Sequence, residues 1–202
     1  PRTGEREINT ILFQPPHEAV KMEIDAKPDL LESFSSRISE RPWIPIFEQH
    51  PQIPRSTPSD RSKTLGLALY MDGAAHGKRD ELLICTIRLL NSNRRHLCLA
   101  FQKSLLCMCG CGGWCTLYPC FAAIYWSLVS LSQGYHPTTT HSGKELDSNR
   151  RSVAGTPLGF RCILIDINGD WAEFAQRFGF PNWHSLFRPC LMCPCNAAQL
   201  LD

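Results

Sequence analysis

The chain has 202 residues, of which 43% are hydrophobic and 20% charged, with a formal charge of +2 at neutral pH. This is globular composition, and it excludes wholesale disorder. The length allows one ordinary domain with an extension, and so small a net charge is no argument by itself for a polyanionic partner.

Residues 1–63 read as a leader rich in proline and serine. One short helix is predicted from Asp29 to Ile38, because Asp29 can cap it and Leu30, Leu31, Phe34 and Ile38 share a face. Trp43, Ile44, Ile46 and Phe47 are expected to pin the leader onto the domain that follows, and His50 to Asp60 reads as an extended linker. The chain begins with proline, which predicts an excised segment rather than a whole product.

From Thr64 the pattern changes to that of the domain, residues 64–202. Leu65 to Met71, Leu82 to Leu90 and His96 to Phe101 are predicted strands, with a polar connection from Asp72-Gly73 to Asp80 and a hairpin turn at Asn91 to Arg94. Ser104 to Tyr135 carries no charged side chain, but its glycines, proline and five cysteines argue against a membrane span, and the apolar part from Leu117 to Leu131 is short for one. Instead Leu117, Phe121, Ile124, Leu128 and Leu131 predict a core helix from Thr116 to Gln133, covered on most sides and stopped by Gly134. A polar, flexible loop is expected from Pro137 to Pro157. A fourth strand follows from Phe160 to Ile167, read as central and covered on both faces, then a short helix from Trp171 to Phe178. The order β-β-β-α-β-α is that of a mixed α/β sheet and resembles the first part of an RNase-H-like fold, interrupted by a cysteine-rich insertion.

In that order Asp72 closes the first strand and Asp170 the fourth. Paired carboxylates suit phosphodiester chemistry, because two Mg2+ or Mn2+ ions about 3.5–4 Å apart activate the attacking oxygen and stabilise the leaving one. The competing reading makes Asp72-Gly73 a turn and Asp170 a helix cap partnered by Glu173. Asp166 lies four residues before Asp170 and one layer deeper. Arg94, Arg95 and Lys103, with Arg88 nearby, form the basic cluster expected near phosphates.

Gly169-Asp170-Trp171-Ala172-Glu173-Phe174, then Gly179-Phe180 and Cys190-Leu191-Met192-Cys193, resemble the Gly-Asp-Leu-Pro-Ala, Gly-Phe and Cys-x-x-Cys motifs of CACTA-type DDE transposases. Leu69-Tyr70-Met71-Asp72-Gly73 resembles the segment around their first aspartate. Trp171-Ala172 departs from that pattern, and the third acid of the family has no counterpart. The stretch from 64 to 195 is also similar to uncharacterised, many-copy proteins of algal protist genomes, through the same two segments and Cys109-Gly110-Cys111-Gly112-Gly113-Trp114-Cys115. The resemblance implies a mobile-element origin, ancestral metal-dependent cutting and joining of DNA, and catalytic acids at Asp72 and Asp170. With the third acid missing, the chain is expected to be inactive as it stands.

Eleven cysteines, an odd count without a secretory segment, point to a reducing intracellular setting, the nucleus for a DNA-acting protein. Zn2+ needs four tetrahedral ligands, and the glycines beside Cys109, Cys111 and Cys115 let a short loop fold round an ion. The fourth ligand is read as His136 or His141, or the loop pairs with Cys190 and Cys193 across the fold. Two functions stay in view: a transposase-derived fragment with DNA as partner, or a zinc-stabilised module that binds protein and does no chemistry. No nucleophile elbow or Gly-rich phosphate loop appears, so no small-molecule substrate is expected.

Overall fold

A computed structural model describes residues 9–36, 44–53, 57–76 and 80–169. Its centre is a four-stranded mixed sheet of β1 (Thr64–His76), β2 (Asp80–Leu89), β3 (His96–Gln102) and β4 (Arg161–Gly169), in the order β3-β2-β1-β4. The first three strands form an antiparallel meander. β4 runs parallel to β1, and the crossover that a parallel pair needs is supplied by α5 (Trp114–Gln133).

β1 is longer than its apolar run. The ladder pairs Asp72 with Ile84, Gly73 with Leu83 and Ala74 with Leu82, so Asp72 lies inside the strand and Asp72-Gly73 is not a turn. A cross-strand ladder satisfies every second backbone group, and here it overrides the turn preference of an Asp-Gly pair. In β2 the alternation is clean: Leu83, Cys85, Ile87 and Leu89 are buried, while the residues between them are partly exposed. With Leu65, Leu67, Leu69 and Met71 of β1 they make the face on which α5 packs through Leu117, Ile124 and Leu131.

α5 is covered on one side, not most. Tyr118 and Tyr125 are 62% and 69% exposed on its outer face. By length and composition alone it could cross a membrane; in the fold its apolar stripe is laid on the sheet. Its end is set by Gly134 at φ 79°, where the Gly134 N–H returns to the Ser130 carbonyl at 2.8 Å.

The leader contributes to the core. α1 (Pro16–Ala26) starts with proline at its first position and buries Ala19, Val20 and Ile24 against β2, β3 and α5, and Phe13 just before it bridges Leu99 of β3. Its Glu23 side chain is fully buried and holds the β2–β3 hairpin, accepting from Ser92 Oγ at 2.5 Å and meeting His96 Nε2 at 2.6 Å. The predicted helix at Asp29 is α2 (Asp29–Ser36), and Phe47 of α3 (Ile44–Gln49) is buried in the core, whereas Ile46 is exposed. α4 (Pro58–Ser62), capped by Thr57, leads into β1.

The segment after α5 is tied down rather than loose. Tyr135 bridges Pro157, His136 N–H donates to Thr156 at 2.9 Å, and Asp147 caps α6 (Ser148–Val153) by accepting from Asn149 and Arg150 N–H. The residues that give it a polar look are caps and ion pairs. β4 also departs from expectation, for its second half is only partly covered and Ile167 is 48% exposed. A register shift at Leu67/Ala68 leaves Ile165 as an extra residue, which turns Asp166 and Asn168 onto the same sheet face as Ala68 and Tyr70.

Asp170, the predicted helix from Trp171, Cys190 and Cys193 lie outside the described residues.

Candidate metal centre

Between β3 and α5 the chain makes a single 3-10 turn (Lys103–Leu105) and then a loop of four cysteines. Gly110, Gly112 and Gly113 hold φ of 100°, 63° and 88°, the left-handed region that side chains resist. These reversals fold the loop on itself, so the Sγ atoms of Cys107, Cys109, Cys111 and Cys115 all lie within 4.8 Å of one another. A tetrahedral site with Zn–S near 2.3 Å has sulfur separations of about 3.8 Å. Cys109 Sγ and Cys115 Sγ are 3.8 Å apart.

Two further contacts brace the cluster. Thr116 Oγ1, in the first turn of α5, accepts the Cys107 N–H at 3.0 Å and donates to the Leu105 carbonyl at 3.3 Å. The Cys115 N–H donates to Cys111 Sγ at 3.4 Å. That N–H, followed by the Cys109 thiol, draws the Cys111 thiol down to about 6, and helix N-termini favour thiolates in general. Cys115 is pushed up to about 12, chiefly by Cys111 and then Cys109, and Cys109 is raised, chiefly by Cys107. One thiol ionises readily and its neighbours resist ionising beside it. A bound dication removes that conflict, and four thiolates with no carboxylate among them is a donor set suited to zinc.

Cys109, Cys111 and Cys115 are thus brought together as the spacing suggested, but the fourth member is Cys107 and not a histidine. His141 stacks edge-on to Trp126 with ring centroids 6.4 Å apart. Trp126 is eleven residues beyond Cys115 on α5, about 16 Å along the axis at 1.5 Å per residue. His136 lies farther along, past the end of the helix. The clue to Cys107 was present in the sequence, since Cys107, Cys109 and Cys111 repeat at spacing two beside glycines.

The first acid occupies a second setting. Asp72 Oδ2 accepts from Tyr70 Oη at 2.6 Å and Oδ1 from the Gly73 N–H at 2.8 Å, which orients the carboxylate and leaves each oxygen a lone pair. As an oriented, half-buried oxygen ligand it fits a hard divalent cation. The neighbouring sheet face encloses a cavity of about 320 Å3 lined by Tyr70, Thr86, Arg88, Arg95, Asp166 and Asn168. Arg95 lies over the Tyr70 ring at 5.3 Å. Asp166 accepts from Asn168 Nδ2 at 2.5 Å. Of the other cations expected near phosphates, Lys103 pairs with Glu81 at 2.8 Å, and the Arg94 backbone N–H bonds Ser92 Oγ at 3.1 Å in the exposed hairpin turn. Arg88 and Tyr70 join this face through strand register, which spacing along the chain did not reveal.

No family model, curated protein or solved structure matches the chain.

Proposed function

We propose that the chain is an RNase-H-like domain of DDE-transposase lineage that binds a divalent cation and DNA on its polar sheet face, with the four-cysteine loop as a structural zinc centre. The observation that carries this reading is the strand order β3-β2-β1-β4 with β4 parallel to β1. Among the described residues the parallel ladder runs as far as the pair Met71 and Gly169, and Asp72 and Asp170 are the residues that follow these two in the sequence. When bound, Mg2+ or Mn2+ supplies charge stabilisation at a phosphodiester. Asp72 would hold it, with Tyr70 and Gly73 fixing the carboxylate, and Arg88 and Arg95 would face the phosphates. A nuclear setting follows from a DNA partner.

The rival reading, a zinc-stabilised interaction module without chemistry, is favoured by the thiol cluster alone. Mn2+ titration followed by electron paramagnetic resonance, together with duplex DNA binding at two salt concentrations, separates the two. The lineage reading expects Mn2+ binding that Asp72→Ala abolishes and DNA binding that weakens steeply with salt. Zinc-loaded protein with no affinity for Mn2+ or DNA sinks it and leaves the module.

A further inference from the structure

The four thiols of the loop differ in access and in freedom to move. Cys109 and Cys115 are exposed, whereas Cys107 and Cys111 are half-buried. Cys107 is tied through its backbone, whose N–H donates to Thr116 Oγ1 at 3.0 Å, and Cys111 Sγ accepts the Cys115 N–H at 3.4 Å. Cys109 Sγ and Cys115 Sγ face each other at 3.8 Å across a sequence separation of six. Cys115 is anchored in the first turn of α5, while Cys109 is followed by Gly110, where an added Cβ would meet nothing within 4 Å. The chain beside Cys109 therefore has room to carry its sulfur toward Cys115, and a disulfide needs the two at about 2.0 Å.

We propose that Cys109 and Cys115 are a redox modification site, at which a small disulfide of the glutathione type converts the pair to an intrachain disulfide and displaces the ion. The proposal rests on the zinc reading of the loop. Zinc binds cysteine as thiolate, which is also the form that attacks disulfides, and two of these four sulfurs are open to solvent. In the first step the Cys109 thiolate attacks one sulfur of the small disulfide, so that a mixed disulfide forms and one small thiolate leaves. The Cys115 thiolate then attacks the Cys109 sulfur, the intrachain S–S bond forms, and the second small thiolate leaves. Two electrons pass from the protein sulfurs to the small disulfide, and no proton is taken up or released. Cys107 and Cys111 are then left as two ligands where a tetrahedral centre needs four, so Zn2+ departs. Cys85, Cys98 and Cys162 do not compete, because they are buried in the core. In a reducing compartment such a bond is transient, which suits a sensing role rather than a structural one.

The test exposes the full chain, loaded with one equivalent of Zn2+, to glutathione disulfide. A chromophoric chelator follows the released Zn2+, and peptide mass spectrometry after alkylation maps the cysteines. The expected result is release of the ion in step with loss of two alkylatable thiols, a dominant cross-link between Cys109 and Cys115, and recovery of zinc binding after dithiothreitol. Cys109→Ser also weakens the ion, so its readout is the bond: oxidative cross-linking of Cys115 slows at least tenfold. A chain that takes up no Zn2+ before the oxidant is added overturns the zinc reading and the proposal with it. Zn2+ bound and then retained, a stable glutathione adduct in place of the cross-link, a dominant cross-link between another pair, or undiminished cross-linking of Cys115 in Cys109→Ser overturns the proposal alone.

Discussion

Thr116 Oγ1 ties Cys107 and Leu105 to the first turn of α5, and that clasp puts Cys107 in reach of the other three thiols. A histidine was the natural fourth ligand from spacing alone, since His136 and His141 follow the same helix. A rigid helix between two candidates separates them by its length, here about 16 Å even to the partner of His141. Cys107→Ser is therefore expected to lower the sulfur-to-cobalt charge-transfer intensity of the Co2+-loaded loop by roughly a quarter and the affinity at least tenfold, as loss of one of four thiolates requires. His141→Ala should leave that spectrum unchanged. Absorption spectroscopy of the two variants decides the ligand set, and an unaltered Cys107→Ser spectrum would return the fourth place to another group. Tyr70 is a parallel case, since only the strand pleat places its hydroxyl on the carboxylate two residues away.

At the scale of elements, β1, β2, β3 and α5 were legible because each writes its own period: an unbroken apolar run, an alternation, a short apolar segment, and a three-and-four repeat ended by glycine. Gly134 shows the local rule at its clearest. A Cβ there would meet Arg161 Cγ at 2.9 Å and the Phe160 carbonyl oxygen at 3.1 Å, on top of the left-handed φ. Gly134→Ala is expected to cost about 1–2 kcal/mol of stability, read as a lower urea midpoint at unchanged slope. Less was legible where an element leans on distant partners. The extension of β1 through Asp72-Gly73 depends on β2. α6 is a short turn of polar residues, Ser148–Val153, that stands because Asp147 caps it and Arg150 reaches across to Glu18. The exposed outer side of α5 likewise depends on which elements pack on it, something its own spacing cannot express.

For the whole molecule, the cysteine loop lies between the last strand of the meander and the crossover helix, so an ion there joins the two halves of the fold. A ligand that binds only the folded state stabilises it in proportion to the logarithm of its excess over Kd. Chelation by EDTA is expected to lower the melting temperature by on the order of 10 °C, for about 4 kcal/mol of linkage in a chain of this size. Re-addition of Zn2+ should restore it, and calorimetry showing the same transition with and without chelator would show the loop to be indifferent to metal. The sequence by itself determined the order of strands and crossover helix, the density of thiols in one glycine-rich loop, and the stop at Gly134, because backbone preference and side-chain period are properties of neighbours in the chain. Only the tertiary structure decided that α1 joins the core, that Cys107 completes the thiol set, and that Asp72 lies within a ladder beside Tyr70. Those are meetings of residues far apart in the chain, and they are set by register and packing, which no local pattern encodes.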